Sequence, residues 1–482
     1  MLMLEVMDSK EFRKQAHVLA DRMADYFDEI SDYPVKSQVK PGEILSALPV
    51  SAPVRGETFD AIMSDFERII MPGITHWQSP SFFAFFPANS SYPSVLAEML
   101  TAALGQQGMI WETSPAATEL EQRVMEWLRE LCGLPASWTG VIQDTASAST
   151  LTALLSAREK TTGFRTNLEG FTGMEKLRVY CSSETHSSIE KAVKIAGFGK
   201  NNLVKVAVDE NFALVPAQLE MAIKEDIKRG YTPCAVVASI GTTGSTAVDP
   251  VDEIGKICER YKIWLHVDAA FAGTAFLLPE IRHFAAGLEY ADSYVFNPHK
   301  WMFTNFDASA YFVRDPELLI RTFEILPEYL KTRTRGLVND YRDWGVALGR
   351  RFRALKLWFV IRSFGADGLR EKIRHHIALA GWLKERILEH PDFELMAPVN
   401  FSLVCFRYNP GKLSTGEDPD RVNADLLSEL NGSGKLYLSH TRLNGRFVLR
   451  MVTAQTTITK DHVLQAWDLI QQTALKLSLK NE

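Results

Sequence analysis

Short apolar runs alternate with helical patterns through the middle of this chain, and that alternation limits the fold more than any other feature. The runs "LRVYCSS", "LVKVAV", "CAVVASI", "IWLHVDA" and "DSYVFN" each predict a buried strand. Amphipathic stretches such as "PAQLEMAIKEDIKRG" and "VDEIGKICERY" stand between them. Strands that are apolar on both faces and alternate with helices are typical of a mostly parallel sheet covered on both sides. We therefore predict an α/β fold whose ligands bind beyond the carboxyl ends of the strands.

The sequence predicts three segments. Residues 1–91 form an N-terminal arm, in which "EFRKQAHVLADRMADYFDEI" has helical spacing and the proline-bearing stretch after it is extended. Because this arm has little to bury against by itself, we expect it to pack on another subunit, and an ordinary first helix is the alternative. Residues 92–355 hold the alternating pattern of a large domain. Residues 356–482 predict a smaller α+β domain.

Charge and cysteine content exclude several classes of protein. The formal net charge is −6 over 482 residues, so no basic field would recruit nucleic acid or an anionic membrane. Glu5 and Asp8 interrupt the apolar start, so we expect no secretory signal, and no apolar run approaches the roughly 18 residues of a membrane span. The five cysteines are scattered without a CxxC pair, which favours a reducing cytoplasm and argues against a disulfide framework or a metal site.

A single lysine, Lys300, stands in the apolar stretch "SYVFNPHKWMFTNFDASA". An amine held among apolar groups loses part of its preference for the charged form, and the neutral amine is the nucleophile that forms Schiff bases. The alternative is a surface lysine whose stem lies along the protein, as most lysines do. The pattern alone leaves both interpretations open.

Other polar residues stand where predicted strands end, namely Asp268, His186, Thr242 and Thr243. We expect them to converge with Lys300 on one crevice. A buried carboxylate needs a partner, and an aspartate paired with the pyridine nitrogen is typical of pyridoxal phosphate sites, with a salt bridge or helix cap as the alternative. The helix start at "DTASAST" suits a phosphate group. No GxGxxG or Walker motif is present, which disfavours dinucleotides and ATP.

Five longer motifs carry a resemblance to a known family. They are "SYVFNPHKW", "IWLHVDAAFAG", "SETHSSIEKA", "THWQSPSFFAFFPANSSYPSVLAEML" and "DYRDWGVALGRRFRALKLWFV". Together they resemble the group II pyridoxal-phosphate-dependent decarboxylases, and most closely those that act on aromatic L-amino acids. The resemblance runs from about residue 12 to 470. It implies fold type I (the aspartate aminotransferase fold), bound pyridoxal 5'-phosphate, a homodimer with shared active sites, and conversion of an aromatic amino acid to an arylethylamine and CO2.

The resemblance also implies roles for individual residues. Lys300 matches the lysine that forms the Schiff base with the cofactor, and Asp268 matches the partner of the pyridine nitrogen. His186 matches a histidine that stacks on the cofactor ring and approaches the substrate carboxylate. Tyr329 matches a loop tyrosine that helps to protonate the α-carbon. The further cofactor-binding residues implied are Ala146, Ser147, Thr243, Asn297 and His299.

The implied substrate pocket departs from the animal enzymes of the family. Ala88 stands where they carry a threonine, so one hydrogen-bonding group for a hydroxylated ring is absent. Gly349 matches a glycine that accompanies the larger indole ring in related plant enzymes. We therefore predict that the enzyme prefers tryptophan or phenylalanine to DOPA as substrate. The alternative is that these differences are neutral sequence changes in a broad pocket. The other pocket residues implied are Trp77, Phe85, Phe86, Gln107, Met109 and His186.

Rival functions stay open on the same fold. One rival is a decarboxylase of glutamate, histidine or cysteine sulfinate. An acidic substrate would need a basic pocket, whereas the segment "THWQSPSFFAFFPA" offers aromatic side chains. An aldehyde synthase or an aminotransferase is another. The resemblance argues against an aldehyde synthase, because related aldehyde synthases carry phenylalanine at the position that matches Tyr329. A non-enzymatic homologue is disfavoured because the four catalytic positions are intact. Arg450 could bind a carboxylate, but we favour structural pairing.

Overall fold

A seven-stranded sheet positions the predicted site. Five of its strands coincide with the five apolar runs that the sequence predicts as buried strands, which confirms that prediction. The strands are β1 (Thr139–Gln143), β2 (Leu177–Ser182), β3 (Leu203–Val206), β4 (Thr232–Ser239), β5 (Trp264–Asp268), β6 (Ser293–Phe296) and β7 (Ser309–Val313).

The strand order in this sheet is β1-β7-β6-β5-β4-β2-β3. Neighbours from β6 through β5, β4 and β2 to β3 are parallel, whereas β7 is antiparallel to both β6 and β1. Because β7 is antiparallel to both of its neighbours, β1 runs in the same direction as the other five strands. Six carboxyl ends therefore meet at one edge, and the sheet is mostly parallel, as the sequence predicts.

Helices cover this sheet and complete the fold. Helix α6 packs its buried residues, such as Ala153 and Leu154, into a core with strand residues including Val179, Val237 and Val295. Helix α13 is interrupted at Gly365, whose φ of 65° lies in the left-handed region. The helices are α1 (Ser9–Asp28), α2 (Glu43–Ala47), α3 (Phe59–Asp65), α4 (Tyr92–Leu104), α5 (Pro115–Cys132), α6 (Ala146–Thr162), α7 (Arg165–Glu169), α8 (Ser188–Ile195), α9 (Pro216–Lys228), α10 (Val251–Tyr261), α11 (Pro298–Trp301), α12 (Pro316–Phe323), α13 (Ala354–Glu389), α14 (Pro419–Gly432) and α15 (Lys460–Lys480).

The structure, a computed structural model, describes residues 7–173, 176–325, 337–411 and 418–480. Across those ranges no helix is both long enough and apolar enough to cross a membrane. The five cysteines are all buried and free.

The chain divides into two units. The small unit comprises Met1–Pro87, His390–Glu394 and Arg407–Glu482, and the large unit comprises Ala88–Glu389 and Leu395–Phe406. The large unit contains the seven-stranded sheet. The three-segment division at residues 91 and 355 stays a prediction.

The small unit contains the predicted first helix. Helix α1 begins at Ser9 after Asp8, whose side chain caps it by accepting the Glu11 N–H at 2.7 Å. Within this unit, Tyr26 of α1 hydrogen-bonds through its hydroxyl to His76 Nδ1 at 2.9 Å. The helix itself is confirmed, while its packing on another subunit stays a prediction. A second sheet has the order β10-β11-β9-β8, with β8 (Phe393–Leu395), β9 (Leu403–Tyr408), β10 (Ser439–Leu443) and β11 (Arg446–Val452).

Candidate active site

Lys300 lies just beyond the carboxyl end of β6. The strand ends at Phe296, and the chain turns into the four-residue helix α11, where the Lys300 N–H donates to Asn297 O at 2.9 Å. Burial lowers the pKa of the Lys300 amine below its ordinary value, and the nearby Asp268 carboxylate opposes part of that shift. The lysine residue is partly buried and its amine is withdrawn from water near that carboxylate, which suits the Schiff-base interpretation.

Asp268 is the last residue of β5, the strand beside β6. Its side chain is buried, and its Oδ1 accepts the backbone N–H of Ala270 at 3.0 Å. Its main-chain oxygen accepts the Ile240 N–H at 2.9 Å, which fixes the strand end against β4. The carboxylate is thus buried at the strand end and close enough to interact with the Lys300 amine, in a place where an unpaired charge is costly.

His186 lies in the turn between β2 and α8. Its Nδ1 accepts the backbone N–H of Ser188 at 3.1 Å and hydrogen-bonds to the Ser188 hydroxyl at 2.8 Å. Because a backbone N–H can only donate, the neutral ring carries its proton on Nε2. Burial lowers the pKa of His186, Asp268 raises it, and Lys300 lowers it. The structure therefore brings these three side chains together, with the imidazole neutral.

Helix α6 begins directly after β1, at the same edge of the sheet. Thr145 caps it by accepting the Ala148 N–H at 3.3 Å. Ala146 and Ser147 occupy its first two positions, where backbone N–H groups lack partners within the helix. Ser147 is exposed. The arrangement suits an anionic group such as a phosphate.

A chain of hydroxyl groups joins the start of α6 to the end of β6. The Ser149 hydroxyl lies 3.3 Å from the Ser309 hydroxyl, which donates to Asn297 Oδ1 at 2.7 Å. All three side chains are buried. Asn297 and the α6 start are therefore held together, while their implied role in binding a phosphate stays a prediction.

His299 and Thr243 flank this group of residues. His299 is buried, its Nδ1 accepts the Ala308 N–H at 2.9 Å, and burial lowers its pKa to about 3. The ring is neutral near pH 7, so any contact with a phosphate would be a hydrogen bond from Nε2. Thr243 is exposed on the turn after β4. That turn needs glycine at Gly241, where φ is 85° and a Cβ would lie 2.6 Å from the Ala272 Cβ.

His266 is a buried histidine beneath the site that sequence reasoning missed. It lies two residues before Asp268 on β5, so the two-residue period places both side chains on one face. Its Nδ1 hydrogen-bonds to the Ser293 hydroxyl at 2.9 Å and its Nε2 to the Thr150 hydroxyl at 3.3 Å. Burial lowers its pKa to about 4. In the sequence, the two-residue spacing of His266 and Asp268 in "LHVD" is the feature that indicates a shared face of the strand.

A buried charge network that the sequence also did not reveal supports the segment after Lys300. Lys356 Nζ lies 3.1 Å from Glu98 Oε2, and Arg353 Nη2 donates to Asp307 Oδ2 at 3.0 Å. Burial lowers the pKa of Lys356 to about 7. Burial also lowers the pKa of Lys372, so Lys300 is not alone among the described lysines in having a lowered pKa.

Three of the implied pocket residues cluster in the large unit. Gln107 Oε1 accepts the Arg350 N–H at 2.6 Å, and Arg342 N–H donates to Met109 O at 2.9 Å. A Cβ on Gly349 would lie 3.3 Å from Gln107 Nε2, so the glycine allows the glutamine to fold across it. Ala88, also of this unit, is partly buried.

The implied aromatic wall lies in the small unit. Trp77 and Phe85 have stacked rings with centroids 5.9 Å apart, and they are 38% and 43% exposed. The Arg450 guanidinium lies 5.6 Å from the Phe86 ring centroid and donates to Ala84 O at 3.2 Å. Arg450 thus pairs structurally, as we favoured from the sequence.

Tyr329 lies outside the described residues, so its implied role stays a prediction. Within the described ranges, no group of three or more histidine, cysteine and acidic side chains is arranged to hold a metal ion.

The residues present fit pyridoxal phosphate. The enclosed Lys300 amine suits its aldehyde, the buried Asp268 carboxylate suits a protonated ring nitrogen, and the α6 start suits its phosphate. The neutral His186 ring can contact its aromatic face. The chemistry of the donor set therefore matches the group implied by the resemblance.

Comparison with known proteins gives concordant results. The family described as "Pyridoxal-dependent decarboxylase conserved domain" matches residues 41–409. Phenylacetaldehyde synthase of Arabidopsis thaliana is 44% identical, covering 98% of this chain and 97% of its own, and tryptophan decarboxylase 2 of Oryza sativa subsp. japonica is 43% identical, covering 98% and 96%. The crystal structure of Oryza sativa TDC with PLP and tryptamine superposes with a TM-score of 0.95 at 37% identity, covering 98% of this chain and 99% of that one.

Proposed function

The chain belongs to the pyridoxal-dependent decarboxylase family, and on that premise we propose that it converts an aromatic L-amino acid to the arylethylamine and CO2. The observation that carries the proposal is the enclosed Lys300 amine, held near the buried Asp268 carboxylate and the neutral His186 ring. The names of the relatives, a tryptophan decarboxylase and a phenylacetaldehyde synthase, support an aromatic substrate.

The cofactor, pyridoxal 5'-phosphate, supplies an aldehyde and, when its ring nitrogen is protonated, an electron sink for the pair left behind by the departing carboxylate. In our proposal Lys300 holds the aldehyde end. Asp268 holds the proton on the ring nitrogen, because a buried carboxylate stabilises a neighbouring cation. Ala146, Ser147 and Asn297 hold the phosphate.

The chain's own residues choose the bond that breaks. Burial lowers the pKa of Lys300, which favours the nucleophilic neutral form of its amine and lets the same nitrogen take up and give back a proton. His186 presents Nε2–H, a donor that can orient the substrate carboxylate without adding a full positive charge. Tyr329 is proposed to deliver the proton to the α-carbon, and its loop to exclude water.

A panel of amino acids tests the substrate class. We expect kcat/KM for the best of tryptophan, phenylalanine, tyrosine and DOPA to exceed that for glutamate, histidine and cysteine sulfinate by about 100-fold or more, because the implied wall residues Trp77, Phe85 and Phe86 are aromatic and suit an apolar ring better than a charged side chain. The sequence-based ranking adds that tryptophan or phenylalanine precedes DOPA. Steady-state CO2 release measures both. Equal or better turnover of glutamate would contradict the aromatic class.

The relatives make aldehyde synthesis a second candidate, because one is named phenylacetaldehyde synthase. That reaction consumes O2 and water and yields the aldehyde, CO2, ammonia and hydrogen peroxide, whereas decarboxylation yields only amine and CO2. With tyrosine at position 329 we expect amine and CO2 in equal amounts. Peroxide formed in proportion to CO2 would instead identify an aldehyde synthase.

We propose a cytoplasmic homodimer with shared active sites. Free, buried cysteines are consistent with a reducing compartment. One face of α4 leaves Leu96, Leu100 and Leu104 between 47% and 56% exposed at helical spacing, together with Tyr92 and Met99. A continuous apolar face of this kind is typical of a protein interface.

Charging the α4 face tests the dimer. We expect L96E/L100E to shift the protein toward monomer, because two carboxylates cannot be desolvated against an apolar partner surface, and to lower activity with it. Light scattering after gel filtration measures the mass. Met221→Glu, at an exposed apolar position on α9, is the control and should leave the mass unchanged. A wild-type monomer would refute the proposal.

A further inference from the structure

We propose that Trp301 and His376 form a positioning pair that holds Lys300 opposite Asp268. The proposal rests on the proposed function, in which Lys300 and Asp268 are the central groups. Neither Trp301 nor His376 is assigned a contact with substrate or cofactor. Their effect would be exerted through the four-residue helix α11 that carries Lys300.

Trp301 stacks on Phe271, which follows Asp268 by three residues. The ring centroids lie 4.5 Å apart with an interplanar angle of 9°, and both side chains are at most 1% exposed. The Asn297 N–H also donates to Ala270 O at 2.9 Å, and the Ala270 N–H donates to Asp268. The segments that carry Lys300 and Asp268 are therefore joined both by hydrogen bonds of the backbone and by this ring stack.

His376, on helix α13, fixes the other edge of the indole. Trp301 Nε1–H donates to His376 Nδ1 at 2.9 Å, and the two rings are parallel within 8°. Because an indole nitrogen can only donate, this bond fixes Nδ1 as the acceptor. His376 is 1% exposed, and Phe303 packs edge-on against it with centroids 5.9 Å apart. The indole thus lies between a stacking partner and a directional hydrogen bond.

A short helix needs such external support. One turn of helix is unstable by itself, so the conformation of α11 depends on its packing. Lys300 immediately precedes Trp301, and a fixed indole limits how far the lysine backbone can move. Small displacements of a reacting group lower rates strongly. Loss of the His376 acceptor would leave the buried indole N–H without this partner, which favours its displacement.

The test compares His376→Leu with His376→Gln in the full-length holoenzyme. His376→Leu should lower kcat for the best aromatic substrate by about tenfold with little change in KM, because a buried donor loses its acceptor. His376→Gln offers an amide oxygen and should recover most of that loss. His375→Leu, at the exposed neighbouring position on the same helix, is the matched control and should change kcat by less than about twofold.

A double-mutant cycle separates positioning from general destabilisation. Trp301→Phe keeps a ring against Phe271 but removes the N–H. In that background His376→Leu should cause no further loss, because the bond it breaks is already absent. Additive losses would overturn the proposal. If His376→Leu does not fold, Trp301→Phe still decides, since an unchanged kcat for it would equally overturn the proposal.

A second readout does not depend on activity. Protein freed of cofactor is labelled with an amine-selective reagent across pH, and the Lys300 peptide is quantified by mass spectrometry. His376→Leu should move the labelling midpoint of Lys300 upward by about one pH unit, because a loosened pocket admits water and burial is what lowers that pKa. An unmoved midpoint would overturn the proposal. An inactive wild type would refute the proposed function, whereas the labelling result would still decide this inference.

Discussion

Replacing Lys300 with alanine is expected to lower kcat/KM for the best aromatic substrate by roughly 10⁴–10⁶-fold, the size seen when a covalent nucleophile is removed. Burial lowers the pKa of this amine, and the Asp268 carboxylate lies near it, so Lys300 combines nucleophilicity with proximity to Asp268. Single-turnover CO2 release from radiolabelled substrate measures losses of this size.

Lys300→Arg is the informative companion variant. Arginine keeps the positive charge but does not supply a neutral amine at physiological pH, so it should be as inactive as alanine. Neither variant should lose much thermal stability, because burying an amine is itself unfavourable. Activity within about tenfold of wild type in Lys300→Arg would contradict a covalent role.

Replacing Asp268 with asparagine is expected to lower kcat/KM by about 10³-fold, which corresponds to the 3–5 kcal/mol cost of removing one partner of a buried ion pair. Asparagine has the same shape and can still accept the Ala270 N–H that Asp268 now binds. What it lacks is the negative charge that keeps the cofactor ring nitrogen protonated. The measurement is steady-state kinetics at saturating pyridoxal phosphate.

Asp249 provides a contrasting control for that variant. It is also buried near the end of β4, where its oxygens accept the N–H groups of Leu214 and Ser239 at 2.8 and 2.7 Å, and burial raises its pKa to about 6. Asp249→Asn should lower thermal stability, because an amide donor would face a backbone donor, while kcat/KM stays within a few-fold. Equal kinetic losses in the two variants would show that Asp268 acts only through stability.

The sheet was largely predictable from the sequence, and the exceptions have a physical reason. Strands β2 to β6 are continuous apolar runs, which identify buried parallel strands. Strand β1, "TGVIQ", has only two large apolar residues, so no run indicated it. Its conformation comes from pairing with β7, a tertiary contact that propensity does not encode.

The convergence at the site followed from strand direction, but the protonation states required coordinates. The positions of Lys300, Asp268 and His186 at strand ends were readable because parallel strands share an edge. That His186 carries its proton on Nε2 depends on the Ser188 N–H, a hydrogen bond with no sequence signature. The same holds for the Trp301–His376 bond, whose partners are 75 residues apart.

The position of Gly349 shows what a motif match leaves out. The sequence suggests a glycine that leaves room for an indole ring. In the structure, the space beside it is approached by the Gln107 amide, which is anchored through the Arg350 N–H. Whether the pocket accepts indole thus depends on a side chain more than 200 residues away in sequence. Among the amino acids of the substrate panel, tryptophan therefore tests this position most directly.

The most direct test of the account is to reduce the holoenzyme with borohydride and map the lysine that retains the cofactor. We expect one stable pyridoxyl label, on Lys300, and none in Lys300→Ala. Lys356 is the natural competitor, because its pKa is also lowered, to about 7. A label on Lys356, or no covalent label in a wild-type enzyme that is active, would contradict the account.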